Sequence, residues 1–308
     1  MQIGFDKHHA LNKARHPVMA TIATARFDAA VKAYQSVLGY ELVESSNLSA
    51  EMAQQWGLAG LEGARLSLMR PQSGAPVFFR FLEISNKAPR GPSCGWFALE
   101  ICVQDVEALY QRLMKDSRFT PFAEPTPLAF TDRVYPMQCK GPAGEILYLN
   151  QVRGSLPDID LPLANSAVDH LFIAILSAPD MEDANEYYCE LMDMTVNERH
   201  EIAYKTINRV HGLPLDARHN LSTLGGGRHV GLEIDQYPGL ANPPRASTAE
   251  TLGEGIVMVS FITEAFNAPE SALIKPPRRF DIAPYNGASS AVLLGPAAER
   301  TELIRLLD

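Results

Sequence analysis

Short runs dense in apolar residues alternate along the chain with segments whose apolar residues recur every three or four positions. The first kind predicts strands and the second amphipathic helices. VMATIATA, after Pro17, reads as a strand. FDAAVKAYQSVLG follows as a helix with Ala30, Val31, Tyr34, Val37 and Leu38 on one face, closed by Gly39 as a C-cap. ARLSLMR and VFFRFLEI then read as two strands joined by a turn at Gln72-Ser73-Gly74. After the connector NKAPRGPSCG the rhythm restarts. WFALEICV is a strand, VEALYQRLMKD a helix introduced by Asp105 in an N-cap position, and VYPMQC and EILYLNQV are strands split by the turn GPAG.

The segment RGSLPDIDLPLANS lacks periodicity and reads as a linker. Beyond it the pattern repeats: VDHLFIAIL is a strand and EDANEYYCELMDM answers FDAAVKAYQSVLGY. HGLPLDARHNLSTL answers WGLAGLEGARLSL, and HVGLEID answers FFRFLEI. The last unit is weaker. GIVMVSFITEA is a strand, FNAPESALI a poor helix, SAVLLG a strand, and ERTELIRLL is expected to be a short C-terminal helix. The chain therefore divides into a polar lead-in (1–16), a first domain (17–153), a linker (154–166) and a second domain (167–308). Strands alternating with isolated helices predict an α+β fold.

Composition narrows the picture. The 308 residues suffice for two cores, and 46% hydrophobic with 20% charged residues describes a globular protein. A net charge of −9 without a Lys/Arg cluster argues against a nucleic-acid partner. No window has the apolar length of a membrane span, and the lead-in has no apolar core of a secretory signal, so a cytoplasmic location is expected. Cys94, Cys102, Cys139 and Cys189 show no CxxC spacing and are expected to be reduced thiols. His8, His9 and His16 sit in the polar lead-in, where no ligand role is expected, and His200, His211 and His219 are expected at the surface. The Gly225-Gly226-Gly227 run lacks the context of a phosphate loop and reads as a hairpin turn.

VMATIATARFDAAVKAYQSVLGYEL, WFALEICVQDVEAL and GPAGEILYL, with VDHLFIAI and YYCELMDM, resemble the vicinal oxygen chelate superfamily of glyoxalase I, bleomycin-resistance proteins and extradiol dioxygenases. The resemblance implies two tandem domains, each of paired βαβββ units forming a cup-shaped, curved mixed sheet with helices outside. It also implies ligand positions early in the first strand and within the last strand of each unit. Those positions align with Met19, Trp96 and Tyr148 in the first domain, where Glu83 alone keeps a ligand-type side chain. In the second they align with His170 and Glu233, with His229 nearby. No metal and no cofactor is expected from so deficient a set, with His170 and Glu233 as the fallback pair.

If the aligned positions face the cup, Met19, Thr21, Trp96, Tyr148 and Ile146 line it, with Met137 or Tyr135 on the neighbouring strand. His170 would face substrate, and Arg133 and Asp132 would rim the mouth. The expected ligand is a hydrophobic or aromatic small molecule. Tyr148 would donate a proton and Glu83 would act as base, its pKa raised by the cup. Arg80, at odd spacing from Glu83, would point the other way. The expected activity is that of a metal-independent lyase or isomerase. A non-catalytic binder and a metal-dependent dioxygenase or glyoxalase using His170 and Glu233 are the alternatives. A homodimer is allowed.

Overall fold

The computed structural model describes residues 3–6, 15–85, 94–128, 131–237 and 246–307; His8, His9 and the connector at 86–93 lie outside them. Four units follow one another. The first holds β1 (Pro17–Thr24), β2 (Glu41–Asn47), β3 (Arg65–Arg70) and β4 (Phe78–Glu83), with helix α1 (Phe27–Ala33) and a short α2 (Ala50–Gln55). The second holds β5 (Gly95–Val103), α3 (Val106–Leu113), β6 (Thr120–Ala123), β7 (Val134–Lys140) and β8 (Ile146–Val152). The third holds β9 (Val168–Ser177), α4 (Met181–Met192), β10 (Thr195–Ile202), α5 (Lys205–His211), β11 (His219–Gly225) and β12 (Leu232–Gln236). The fourth holds β13 (Gly255–Ile262), β14 (Arg278–Arg279), β15 (Ser289–Leu294) and β16 (Arg300–Arg305).

Local signals start these elements as expected. The Asp105 carboxylate caps α3 through the Ala108 N–H, Asp180 caps α4, and Gly39 ends the first helical stretch at φ 79°. The Gly225–Gly227 run does turn β11 into β12. A Cβ on Gly225 would lie 1.9 Å from the His229 carbonyl oxygen, so only glycine fits there.

The α+β fold of two mixed sheets with helices outside is the one expected, but the units do not pair in chain order. One eight-stranded sheet runs β14-β15-β16-β13-β1-β4-β3-β2 and the other β10-β11-β12-β9-β5-β8-β7-β6. The first sheet thus joins units one and four, and the second joins units two and three. The expectation that consecutive units share a cup is corrected: β1 finds its antiparallel partner in β13, and β5 in β9.

The C-terminal helix is also corrected. Residues 300–305 form β16, parallel to β13 and antiparallel to β15. ERTELIRLL carries a spacing compatible with a helix, but pairing on both sides overrides it. GPAAERTEL (295–303) repeats GPAGEILYL (141–149), so Glu302 stands where Tyr148 stands in unit two.

Each sheet has a helix face and a cup face. Ile22, Phe79, Phe81, Leu99, Ile101, Leu147, Leu149, Leu232 and Ile234 share one core with α1, α3 and α4. Met19, Phe78, Leu82, Trp56 and Val292 fill the first cup. Ala98, Ile146, Tyr148, Phe172, Ile175 and Tyr237 line the second. The alternation of side chains along each strand makes this division.

Candidate functional site

In the first cup, strand pairing sets Thr21 beside Arg80 and Ser260 beside Glu302. The Arg80 guanidinium lies 3.4 Å from Glu302, donates to Thr21 Oγ1 at 3.0 Å and to Tyr285 Oη at 2.6 Å, and sits 4.2 Å over the Trp56 ring. Glu302 also accepts from Ser260 (2.6 Å), Ser290 (2.7 Å) and Tyr285 (2.7 Å). Every oxygen and charge here is satisfied inside the protein, as a buried pair requires. Arg80, not Glu83, enters the cup.

Glu83 lies outside both cups. Arg65 grips its carboxylate at 2.8 and 2.9 Å while also holding Asp28 at 2.9 Å. The guanidinium holds the Glu83 pKa below the usual range, so the raised pKa on which its role as base depended is missing.

The second cup is different. Tyr148, Ile146 and Glu233 come together there, a subset of the expected residues. Strand pairing sets Glu100 beside Tyr148, Ile175 beside Glu233, and Gln138 across from Tyr148. Asp235 follows Glu233 two residues on, on the same face. Asn150 donates to Glu100 at 2.5 Å, Gln138 donates to Tyr204 Oη at 2.7 Å, and the Tyr237 hydroxyl donates to Asp235. Tyr148 meets the Tyr204 ring at 6.4 Å between centroids.

Three carboxyls, Glu100, Glu233 and Asp235, therefore share one enclosed space. Glu100 and Glu233 keep some exposure, but the surrounding protein still strips enough water to shift them. Burial, reinforced by the neighbouring Asp235, pushes Glu100 up to about 8. Burial, then Asp235 and Glu100, pushes Glu233 well above the usual carboxyl range, and burial also raises Asp235. Desolvation likewise keeps the Tyr148 phenol protonated. Among the described residues, no ion pair brings a Lys or Arg to these three acids.

Other expected residues fall elsewhere. Met19 and Thr21 line the first cup, apart from Tyr148. Trp96 lies in the core between the sheets, its Nε1–H donating to the Arg300 carbonyl at 2.7 Å. A bulge between Trp96 and Ala98 reverses the alternation, which turns Ala98 and Glu100 toward the cup. Met137 pairs across from Leu149 and shares its helix-side core, and Tyr135 packs there under Arg153 at 3.6 Å. Arg133 is exposed and donates to the Ser155 carbonyl, so it holds the linker.

Register also revises the place of His170. Met19 faces Ser260 and Ile173 faces Glu100, so Ile173 is the counterpart of Met19. His170 corresponds instead to His16, three residues earlier. His16 is buried; its Nδ1 lies 2.7 Å from the Phe172 carbonyl oxygen, and burial drops its pKa to about 4. His170 lies against Cys102 and 3.2 Å from Asp169.

Sequence reasoning missed Asp235, Tyr204 and Tyr237, and it put Glu100 on one face with Trp96 and Ala98 without giving it a role. Asp235 and Tyr237 showed no pattern beyond alternation from Glu233.

In overall shape the chain is similar to glyoxalase I from Zea mays, with a TM-score of 0.61 at 12% identity over 94% of this chain and 92% of that one. A mutant form of the same maize enzyme superposes with a TM-score of 0.64 at 14% identity, covering 94% of each chain. A proposed dioxygenase from Bacillus subtilis gives 0.63 at 12% identity, over 96% and 86%. The fold is that of the vicinal oxygen chelate proteins. No family model matches the chain, and no curated protein does.

The resemblance implies metal ligands on the first and last strands of each unit. In the first cup those positions offer Met19, Arg80, Ser260 and Glu302, and the guanidinium occupies the place of a cation. In the second they offer Ile173, Glu100, Tyr148 and Glu233, two carboxylates that join no cluster of three ligand atoms within 4.8 Å. Among the described residues only Cys102, Asp169 and His170 bring three ligand atoms within 4.8 Å of one another. Cys102 is held as a thiol by burial, and Asp169 already accepts from Ser73 and the Asn165 N–H. Among the described residues, the first- and last-strand positions of neither cup bring three ligand atoms within 4.8 Å of one another.

Proposed function

We propose that the chain is a small-molecule lyase or isomerase that moves protons without a metal, in the cup of the second sheet. The observation that carries this reading is Glu100, a carboxyl raised to about 8 and facing Tyr148 across the same strand pair. A general base works best with a pKa near the working pH, and burial has moved Glu100 there. Asp235, raised to about 7 by the same burial, can take on the proton that Glu100 removes. The Tyr148 phenol stays protonated and can donate to an oxygen on which negative charge develops. Ile146, Phe172 and Ile175 supply an apolar wall for a hydrophobic substrate.

The test is hydrogen–deuterium exchange, followed by NMR, at carbons next to the carbonyl in a panel of apolar ketones and aldehydes. Exchange catalysed by protein dialysed against chelator, and reduced about a hundredfold in Glu100→Gln and Tyr148→Phe, is expected. Exchange that vanishes on chelation and returns with a divalent ion would favour the metal-dependent alternative. Stoichiometric metal lost in His170→Ala would place it at the fallback site. Tight binding of panel compounds with no exchange or conversion would leave the chain a binder.

A further inference from the structure

The two cups are built on one plan, yet they balance charge in opposite ways. In the first, one acid, Glu302, meets one internal cation, Arg80, and three hydroxyls. In the second, Glu233 stands in the register position of Arg80. Glu100 stands in that of Ser260. The substitution removes the cation and adds acids. Among the described residues no Lys or Arg pairs with this cluster; enclosed acids so placed are costly to ionise, and protons held on them lower the cost.

Polar atoms around the cluster are also left without partners. His219 shares the cup face of β11 with Leu221 and Thr223, is 3% exposed, and packs on the Tyr237 ring at 4.5 Å. Both of its ring nitrogens lack a hydrogen-bond partner. Asn150, 4% exposed, gives its amide N–H to Glu100, but its Oδ1 has no donor. Buried polar atoms are nearly always satisfied, so a group of orphans on one cup face points to an absent ligand. Each orphan here can accept a hydrogen bond: Asn150 Oδ1 by nature, and a neutral imidazole through one nitrogen. Burial keeps His219 neutral near pH 7 by lowering its pKa to about 4.

The rest of the lining agrees. Tyr148, Tyr204 and Tyr237 present phenol rings around the acids, and Phe97 lies against Tyr237 at 5.8 Å. Aromatic faces attract cations. Ile207, with Ile159 and Leu161 from the linker, closes the cup with apolar surface. Glu100, Glu233 and Asp235 do not bring three ligand atoms within 4.8 Å, which is too open for one metal ion and suits a larger cation.

We propose that the second cup takes a small organic cation: a protonated amine carried on an apolar or aromatic body. The ammonium group donates to Asn150 Oδ1 and the carboxyls, and the body lies among the tyrosines and Ile207. This names the substrate class of the site proposed above and rests on the second cup being the ligand site. It does not rest on that site catalysing proton transfer. Binding a cation favours the ionised acids, so protons leave the cup as the ligand enters.

The experiment is calorimetric titration of the full chain at pH 7 with four probes: benzylamine, benzyl alcohol, magnesium chloride and manganese chloride. Benzylamine, charged at this pH, should bind at least about tenfold more tightly than benzyl alcohol of the same shape. Its apparent heat should vary with the ionisation enthalpy of the buffer, showing proton release on binding. Glu233→Gln should erase the preference for the amine. The proton release is read on the unaltered protein, so a variant that fails to fold does not weaken the test. Equal affinities, amine binding without proton release, absence of amine binding, or tighter binding of either metal alone would each overturn the proposal. Amine-selective binding without exchange or turnover would uphold it while refuting the catalytic reading; exchange without amine selectivity would do the reverse.

Discussion

A buried carboxyl whose pKa rises on folding ties stability to pH, and Glu100 is such a group. Its folded pKa is about 8 against a usual 4.5, so between those values the unfolded chain binds fewer protons than the folded one. Stability from this residue is complete below pH 4.5 and is lost as pH rises toward 8, at up to about 1.4 kcal/mol per pH unit. Glu100→Gln should therefore gain on the unaltered protein as pH rises from about 5 to about 8.5 in urea unfolding, whereas parallel pH profiles would show that Glu100 is not buried as described. Arg80 gives the contrasting case. Arg80→Met strands Glu302 at full burial, and a loss of about 3–5 kcal/mol is expected in the same assay. At this scale the sequence was partly legible. Alternation and resemblance placed Tyr148 and Ile146 in a first-domain cup and Glu233 in a second-domain one, whereas all three share the second cup; Arg80 was seen to oppose Glu83. Which of the two faced inward was not, because alternation gives parity without direction. The bulge at Trp96 was invisible for a similar reason: it depends on how β5 meets β9, not on β5 itself.

Between elements, two matching bonds join consecutive units across the sheets. The Tyr34 hydroxyl, at the end of the first helical stretch, donates to Glu145 at the start of β8 (2.9 Å), and Tyr188 on α4 donates to Glu299 before β16 (2.5 Å). Glu145 and Glu299 each also accept a backbone N–H, from Ala143 and Ala297, both at 2.8 Å. Gly141 and Gly295 make room for them: a Cβ on either would come within 2.0 Å of the carboxylate. Tyr34→Phe leaves a buried oxygen of Glu145 without that donor, so a loss of about 1–3 kcal/mol is expected in denaturant unfolding. An unchanged midpoint would show that the bond is incidental. The GP-x-x-E repeat that carries both glutamates was present in the sequence, yet the second copy was read as leading into a helix. Local spacing in ERTELIRLL resembles a helical face, and only its pairing with β13 and β15 settles it as a strand.

At the scale of the molecule, duplication and fold class could be read from the sequence, while the pairing of units could not. Each unit carries the same apolar faces, so every unit is a chemically suitable partner for every other, and chain order alone suggested the wrong couples. The observed pairing, one with four and two with three, binds the first and last units into one sheet. Tyr34–Glu145 and Tyr188–Glu299 then stitch the sheets together, and the helix-side core runs through both. A single cooperative heat-capacity peak is expected in calorimetry; two resolved transitions, one for each covalent half, would contradict this coupling. The nested pairing also bears on how the chain is made. On the ribosome, units two and three can close their sheet as soon as β12 emerges, whereas β1 must wait for β13. Until then the first unit carries an unpaired strand edge and an uncovered apolar cup. It is the segment of the nascent chain most in need of a chaperone.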